Sequence, residues 1–417
     1  MPSPTSHAQL AERFQQLDTF LVQHQTLWQP RPFTHSRLPW ETDHPELAAW
    51  LRARPLEAAE SAHNHPDALL APAPFQALAR QATALSSVAE LPMQTSPANN
   101  PRQATDVPGR KWLQIQSFSA ALDFRERPRH WLDWCAGKGH LGRQLAGDGA
   151  NLTCLEWDPI LVDAGAQLSQ RLGIDASHRQ QDVMSDEAVA QLGPDSTPVA
   201  LHACGDLHVR LLQLAIAQGC RQLALAPCCY NRIQHDRYQP LSRAAQRSSL
   251  RLSRDDLGLP LSETVTAGAR EKRNRDQSMA WRLGFDLLQR KLRGDDNYLP
   301  TPSLPSAWLK KSFEQYCRDL AALKGIPAPQ TEHWAELEQR GWQRLAEVRN
   351  LELLRGLFRR PLELWLLLDR TLLLSENGYR VRLGTFCPTQ LTPRNLMLIA
   401  ERENPPATLS TTPSRLP

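Results

Sequence analysis

The chain has 417 residues, enough for two to three domains of ordinary size. Its 48 basic and 44 acidic residues leave a formal charge of +4, so net charge alone gives no argument for nucleic-acid binding. Eight cysteines in a chain of this length do not form a dense disulfide framework, which favours a reducing, cytoplasmic location. The most apolar run, 362–374, contains Asp369 and Arg370 and is shorter than the roughly 20 residues of a membrane span. We therefore expect a soluble protein without a membrane segment.

Apolar residues at helical spacing predict helices over residues 8–29, 45–60 and 74–90. From 91 to 108 the composition changes to Pro, Ser, Asn and Thr, as in a linker. We therefore expect residues 1–105 to form a helical accessory region and linker without catalytic groups. A further helix begins at Gly109, and its residues Arg110 and Lys111 are either solvated or contact an anionic group of a ligand.

A glycine-rich turn follows a short apolar strand in the stretch Trp131-Leu-Asp-Trp-Cys-Ala-Gly-Lys-Gly-His-Leu-Gly142. Gly137, Gly139 and Gly142 match the pattern G-x-G-x-x-G, in which backbone N–H groups and a helix N-terminus approach a ligand closely. Glu156 ends the next apolar run, where a carboxylate accepts hydrogen bonds from ribose hydroxyls. The same pattern serves nicotinamide dinucleotides and S-adenosylmethionine, so by itself it indicates only a nucleotide-like ligand.

Strand and helix patterns alternate through the middle of the chain, with strands near 131–135, 151–156, 179–183, 198–203 and 221–227. Repeated units of this length predict an α/β fold with a parallel sheet, covered on both faces and binding ligands at the carboxyl ends of its strands. Two last strands, 379–383 and 396–400, are joined by a turn that contains proline. A terminal antiparallel strand in such a sheet is typical of methyltransferases rather than of dinucleotide dehydrogenases.

Acidic residues follow three successive strands, at Asp133, Glu156 and Asp182. Asp133-Trp-Cys-Ala-Gly-Lys-Gly139 resembles the first motif of class I methyltransferases, with Cys135 in the place of the first glycine. The resemblance implies a Rossmann-like methyltransferase sheet and S-adenosylmethionine as cofactor. It also implies that Glu156 binds the ribose, Trp157 packs on the adenine and Asp182 faces the adenine amino group. The implied cofactor-binding residues are Asp133, Cys135, Gly137, Gly139, Glu156, Trp157, Asp182 and His202.

Two further motifs follow the fourth and fifth strands, Leu201-His-Ala-Cys-Gly-Asp-Leu207 and Pro227-Cys-Cys-Tyr230. Together with the stretch Asp133 to Leu141, and in this order, they resemble the methyltransferase-like protein 25 family. They are more distantly similar to the eukaryotic tRNA ribose methyltransferase that modifies the acceptor stem. The resemblance covers roughly residues 105–402 and implies S-adenosylmethionine binding, with RNA as an acceptor.

These two motifs predict an acceptor pocket beside the transferred methyl group. His202 or Asp206 would be the general base if the acceptor is a hydroxyl. Tyr230 offers a ring for stacking of a planar base, a contact worth roughly 1–3 kcal/mol. Cys228 or Cys229 would be the nucleophile of a cytosine-C5 mechanism, although the flanking residues do not match that family. The predicted catalytic residues are His202, Asp206, Cys228, Cys229 and Tyr230.

A zinc site is a second interpretation of the same strand ends, with His202, Cys204, Cys228 and Cys229 as ligands. Neither cysteine pair has the spacing of structural zinc sites, and adjacent residues of a strand point to opposite sides of the sheet. Cysteines of this kind are more often buried as small apolar groups. We therefore predict no metal site.

Residues 232–376 are predicted to form a helical insertion within a methyltransferase domain of residues 106–403, with helices near 277–292, 306–324, 332–346 and 362–375. A basic run precedes the first of these helices, and it is either a solvated loop or the best candidate in the chain for contact with RNA phosphates. The run contains Arg270, Lys272, Arg273 and Arg275. The tail 404–417, rich in Pro, Thr and Ser, is expected to be disordered.

The sequence thus predicts an S-adenosylmethionine-dependent methyltransferase, with RNA, protein and small molecules all open as acceptors. One alternative is a cofactor-binding module that has lost catalysis and serves as an RNA-binding or assembly factor. An intact cleft on the acceptor side separates the enzyme from this alternative. A nicotinamide oxidoreductase is disfavoured by Asp133 and Asp182. The oligomeric state is left open.

Overall fold

The computed structural model describes residues 6–94, 104–146, 149–262, 268–327 and 333–403, and within them the chain forms fourteen α-helices and seven β-strands. The strands are β1 (His130–Trp134), β2 (Asn151–Glu156), β3 (Ser177–Gln180), β4 (Ser196–Cys204), β5 (Gln222–Cys228), β6 (Tyr379–Thr385) and β7 (Leu396–Arg402). The helices are α1 (His7–Gln23), α2 (Gln25–Trp28), α3 (Pro45–Arg52), α4 (Leu56–Ala62), α5 (Phe75–Ser86), α6 (Gly109–Ala121), α7 (His140–Leu145), α8 (Pro159–Leu172), α9 (Asp206–Ala217), α10 (Arg243–Arg247), α11 (Ala269–Arg293), α12 (Phe313–Leu323), α13 (Trp334–Gly356) and α14 (Arg359–Glu376).

The strands form one sheet in the order β3-β2-β1-β4-β5-β7-β6. Strands β1 to β5 are parallel to one another, and β7 runs antiparallel to both β5 and β6. This arrangement confirms the predicted α/β fold, a Rossmann-like sheet with an antiparallel strand contributed by the end of the chain. It also brings the ends of β1, β2, β4 and β5 to one edge of the sheet, because the carboxyl ends of parallel strands meet there.

The burial of the strands follows from their sequences. Strand β5 is buried along its whole length, and β1 is buried except at His130. Helix α6 packs Trp112, Ile115 and Phe118 into the core cluster that includes Val199 of β4. Strand β3 is short, polar and mostly exposed, which suits an edge strand because such strands pair poorly with other chains.

Strand β3 ends earlier than predicted, at Gln180 rather than at 183. Asp182 therefore lies in the following turn, where its Oδ1 accepts a hydrogen bond from the Met184 N–H at 2.9 Å. An Asp side chain that bonds the backbone two residues further on favours a turn over a strand. The carboxylate of Asp182 is exposed beside the end of the sheet.

A buried polar network joins α14 to the segment that follows β5. Asp369 accepts a hydrogen bond from the Tyr238 hydroxyl at 2.5 Å. Arg370 donates from Nε to His208 Nε2 at 2.7 Å, and its guanidinium lies 5.0 Å from the centre of the Tyr230 ring. All five side chains are buried, so the network is part of the core.

The described part of the chain divides into two compact units. The first comprises Met1–Asp18, Val88–Gly258 and Leu364–Pro417, and it contains the sheet. The second comprises Thr19–Ser87 and Leu259–Glu363. Within the second unit α11 and α13 cross closely, because an added Cβ at Gly341 would lie 2.5 Å from the Ala280 carbonyl oxygen.

These unit boundaries differ from the predicted limits of the accessory region 1–105 and the insertion 232–376, because each of these segments contributes to both units. The reason is contact between residues far apart in the chain, such as the ion pair between Lys272 and Glu60, which composition does not show.

Residues 95–103 of the predicted linker and the predicted disordered tail 404–417 lie outside the described residues. Within the described ranges, no helix combines the length and the apolar character that crossing a membrane requires.

Candidate active site

The glycine turn after β1 is packed on one side and open on the other. Gly137 and Gly139 have φ of +56° and +74°, a backbone conformation that favours glycine. A Cβ at Gly139 would lie 2.8 Å from His178 Cε1 and 2.9 Å from Cys154 Sγ, so packing alone requires a glycine. A Cβ at Gly137 would have no described atom within 4 Å. The turn therefore offers free space at Gly137, where a ligand can approach the backbone.

The carboxylate of Glu156 shapes this turn. Its Oε2 accepts a hydrogen bond from the Gly137 N–H at 2.8 Å, and its Oε1 accepts from the N–H groups of Trp157 and Asp158 at 2.9 and 3.1 Å. An ionised carboxylate has about four acceptor positions, so roughly one remains for a ribose hydroxyl. The structural role was not predicted from the sequence, and the predicted ribose contact still has an acceptor position available.

Asp133 lies beneath the turn and is only 2% exposed. Its Oδ2 accepts a hydrogen bond from the Gly142 N–H at 2.9 Å, in the first turn of α7. Burial raises the pKa of the Asp133 carboxyl to about 7, although this hydrogen bond and the charge of Arg143 act in the opposite direction. Asp133 therefore fixes the start of α7 and supports the glycine turn from below.

Two apolar side chains beside the turn are unusually exposed. Trp157 is 68% exposed directly after Glu156, and Ile160 is 75% exposed at the start of α8. The exposed carboxylate of Asp182 stands after the neighbouring strand. An exposed aromatic ring next to a carboxylate, with a further acceptor nearby, offers the kinds of group that an adenosine contacts. The three predicted adenosine contacts thus have side chains that a ligand can reach.

Cys135 lies among the acidic residues of the strand ends. Burial, together with the negative charges of Glu156, Asp133 and Asp182, raises the pKa of its thiol to about 12. The three acids therefore all act on the thiol at the end of β1. A thiol held neutral in this way packs against a ligand without competing as a nucleophile.

Backbone strain marks the same edge of the sheet. Three non-glycine residues there have positive φ, namely Cys135 at +57°, His202 at +65° and Cys229 at +44°. They stand at the ends of β1, β4 and β5. Such conformations cost on the order of 1–3 kcal/mol each and concentrate at functional sites. The strain therefore points to this edge independently of any motif.

His202 is held by Gln114 of α6. Its Nε2 lies 2.7 Å from Gln114 Oε1, an oxygen that can only accept, so Nε2 carries the proton and Nδ1 keeps its lone pair. Burial, together with the charges of Arg394 and Lys111, lowers the pKa of His202 to about 4. The ring is therefore neutral near pH 7 and can accept a proton at Nδ1. Sequence reasoning missed Gln114 and Arg394 because neither belongs to a motif.

Asp206 begins α9 and lines a cavity of about 340 Å³, together with Met184, Arg210 and His235. Its Oδ2 accepts a hydrogen bond from the Gln234 N–H at 2.7 Å. Asp206 and His202 thus have separate partners on different elements. The cavity gives Asp206 access to a ligand.

The turns after β4 and β5 are locked together at Gly205. The Asp206 N–H donates to the Arg232 carbonyl at 2.9 Å, and the Gly205 N–H donates to the Cys228 carbonyl at 3.2 Å. A Cβ at Gly205 would lie 1.9 Å from the Arg232 carbonyl oxygen, so no other residue fits without moving the backbone. Arg232, which was not predicted as a site residue, therefore fixes the second strand end against the first.

Three cysteine sulfur atoms meet at these locked strand ends. The Sγ atoms of Cys204 and Cys228 are 3.6 Å apart, and those of Cys204, Cys228 and Cys229 all lie within 4.8 Å of one another. A hydrogen bond from the Cys228 thiol lowers the pKa of Cys229, and Cys204 and nearby arginines act in the same direction. The expectation that Cys228 and Cys229 point to opposite sides is wrong, because the left-handed backbone of Cys229 turns its sulfur toward Cys228.

The prediction that Tyr230 stacks on a planar base is wrong. Tyr230 is 0% exposed, and its ring lies edge-on to His208 with the centroids 5.8 Å apart. The guanidinium of Arg370 covers the ring as well. The residue follows the strand end closely in sequence, but α14 buries it, so it supports the site from behind.

The basic residues proposed for RNA contact lie on a helix, since α11 begins at Ala269. The prediction of a loop before a helix at 277 is therefore wrong. Lys272 pairs with Glu60, and Arg275 Nε lies 3.5 Å from Asp276 Oδ1. Arg270 and Arg273 are exposed and one turn apart.

The segment that carries the glycine turn and the cysteine cluster also matches a known family. Residues 110–236 match Methyltransf_32, described as a methyltransferase domain. The chain therefore carries a methyltransferase domain. The match includes β1 to β5, so it coincides with the edge of the sheet that the strain, the acids and the cavity indicate.

Similar solved structures include a protein from work on the conversion of a disulfide bond into a thioacetal group during echinomycin biosynthesis, with 17% identity over 28% of this chain and 49% of that one and a TM-score of 0.22. Two others are structures of WbdD, one of them described as a medium-resolution structure of the bifunctional kinase-methyltransferase and the other as a complex with the kinase inhibitor LY294002. Their identities are 18% and 21%, each over 34% of this chain and over 34% and 35% of theirs, with TM-scores of 0.22 and 0.21. The chain thus spans between one third and one half of the length of these proteins.

Proposed function

We propose that this methyltransferase domain uses S-adenosylmethionine and binds it at the glycine turn. The observation that carries the proposal is the open space at Gly137, bordered by the carboxylate of Glu156 and the exposed ring of Trp157. The ribose would lie at Glu156 and the adenine against Trp157, with Asp182 toward the amino group. The cofactor supplies an activated methyl group, so the protein must chiefly hold the acceptor in line with it.

The chain's own groups provide what a hydroxyl acceptor needs. His202 Nδ1 accepts the hydroxyl proton, because the ring is neutral and Gln114 fixes its tautomer. Asp206 faces the neighbouring cavity and orients the acceptor from there. A general base of low pKa is a weak base, so it would accept the proton as the new oxygen–methyl bond forms, because that bond makes the hydroxyl strongly acidic.

RNA is the acceptor class that we propose. The order of the three motifs resembles the methyltransferase-like protein 25 family and, more distantly, the tRNA ribose methyltransferase. Arg270 and Arg273 support it physically, because both are exposed on one face of α11. Arginine is well suited to phosphate because its planar fork donates two hydrogen bonds at once.

Methyl transfer from labelled S-adenosylmethionine to total tRNA tests this proposal.

Replacing Arg273 by Glu should reduce RNA affinity by about tenfold at low salt. The slope of log affinity against log salt concentration should also become shallower by about one unit, because one phosphate contact is lost. Lys291→Glu is the matched control, since it makes the same charge change at an exposed position of the same helix. Equal effects of both variants would show that the first turns of α11 do not contact RNA. Cofactor and RNA binding without methyl transfer would instead favour the catalytically inactive assembly factor.

A further inference from the structure

The three-cysteine cluster is a separate site, defined by Cys204, Cys228 and Cys229. Two thiols side by side are common in buried cores, but three sulfur atoms within 4.8 Å of one another are not needed for packing. Cys228 is 5% exposed, whereas Cys204 and Cys229 are partly exposed. The cluster therefore has a buried base and a side that opens to solvent.

The spacing fits a single metal ion. A tetrahedral zinc ion with Zn–S bonds of about 2.3 Å holds its sulfur atoms a little under 4 Å apart. The Sγ atoms of Cys204 and Cys228 are already 3.6 Å apart, and the third sulfur lies within 4.8 Å of both. A shift of up to about an ångström at one side chain would complete a three-sulfur set.

A strained backbone conformation at Cys229 holds the three sulfur atoms together. Cys229 has φ of +44°, and this conformation places two adjacent cysteines on one side of the strand end. Positive φ at a residue other than glycine costs on the order of 1–3 kcal/mol, and it persists only where the surroundings enforce it. Here the Arg232 N–H donates to the Cys229 carbonyl at 2.9 Å and Gly205 packs against Arg232, so the two turns enforce it together.

The surrounding charge is favourable. Three thiolates around a divalent ion leave a net charge of about −1, which needs a positive partner when partly buried. The charges of Arg394 and Arg232 both act on Cys229. These side chains thus offset the excess negative charge of a metal-thiolate centre.

We propose that Cys204, Cys228 and Cys229 bind one thiophilic metal ion, Zn²⁺, with its fourth position open to solvent. Three protein ligands with an open position are typical of zinc sites that bind a water or a further ligand, rather than of closed structural sites. The proposal does not depend on S-adenosylmethionine, because none of the three cysteines is proposed to hydrogen-bond to the cofactor or to stack on it.

The test is metal binding by the full chain, purified under reducing conditions and titrated with Co²⁺ as a spectroscopic substitute for Zn²⁺. We expect one ion per chain, with a thiolate-to-cobalt charge-transfer band that zinc abolishes. Cys204→Ser, Cys228→Ser and Cys229→Ser should each lose most of this band. Cys220→Ser is the matched control, because Cys220 is buried just before the opposite end of β5 and contacts Ser196 Oγ. No band in the wild-type chain, or equal bands in all four variants, would overturn the proposal.

Alkylation keeps the test decisive if a variant fails to fold. Zinc should protect the partly exposed Cys204 and Cys229 of the wild-type chain from iodoacetamide under native conditions. Equal labelling with and without zinc would contradict the site. A Gly137→Ala variant that loses S-adenosylhomocysteine but keeps the cobalt band would separate this proposal from the cofactor site.

Discussion

Glu156→Ala is expected to weaken S-adenosylhomocysteine binding by about 1–3 kcal/mol, the range for hydrogen bonds to a charged group. The ribose contact accounts for this range by itself. The same substitution also removes the acceptor for the N–H groups of Gly137, Trp157 and Asp158. The turn loses its shape as well as its ligand contact, so we expect a value at the upper end. Calorimetry with the purified variant measures it.

Glu156→Gln separates the two roles of this residue. Its side-chain oxygen can still accept from the Gly137 N–H, but its amide nitrogen opposes the other two N–H groups, so binding should lie between wild type and Glu156→Ala. Glu187→Ala is the matched control, because this carboxylate is exposed and lies outside the turn. If the two alanine variants bind S-adenosylhomocysteine with equal affinity, the ligand does not bind at this turn.

Gly205→Ala is expected to be the most destabilising single substitution at the strand ends. Gly205 has φ of +52° and ψ of −124°, a conformation that costs about 1–3 kcal/mol for other residues. The added Cβ would also lie 1.9 Å from the Arg232 carbonyl, and overpacking of this kind costs about 1–3 kcal/mol more. The two turns must separate, so the cysteine cluster should lose its geometry. Urea denaturation measures the lost free energy of unfolding.

Gly173→Ala is the control for this substitution. Gly173 has φ of +66° at the end of α8, and an added Cβ there would have no described atom within 4 Å. It therefore reports the cost of the backbone conformation without the contact, about 1–2 kcal/mol. Equal losses of stability in the two variants would mean that the turns after β4 and β5 are not packed as described.

The sheet and the glycine turn could be predicted from the sequence because their signals are local. Apolar runs mark β1, β2, β4 and β5, and the pattern of Gly137 and Gly139 follows β1 directly. The second role of Glu156 could not be predicted, because it depends on how the turn folds back onto the carboxylate. The motif identified the residue, and only the geometry shows what the residue holds.

Other parts of the site depend on contacts over long distances in the chain. Tyr230 is buried by Arg370, 140 residues further on, so nothing near Tyr230 in the sequence predicts its burial. The convergence of Cys228 and Cys229 depends on one positive φ, which an alternation rule for strands does not anticipate. Gln114 holds His202 across a gap of 88 residues. Motif spacing therefore predicts which strand ends carry these residues, but it does not predict the orientation of their side chains.

The most direct test of the central claim is calorimetric titration of the purified chain with S-adenosylhomocysteine and, separately, with NAD. We predict saturable binding of the first and none of the second. Gly137→Ala should lose this binding while remaining folded, because its added Cβ enters the space assigned to the cofactor, whereas Gly173→Ala should bind as wild type. No heat with S-adenosylhomocysteine, or equal affinities of the two glycine variants, would contradict the account.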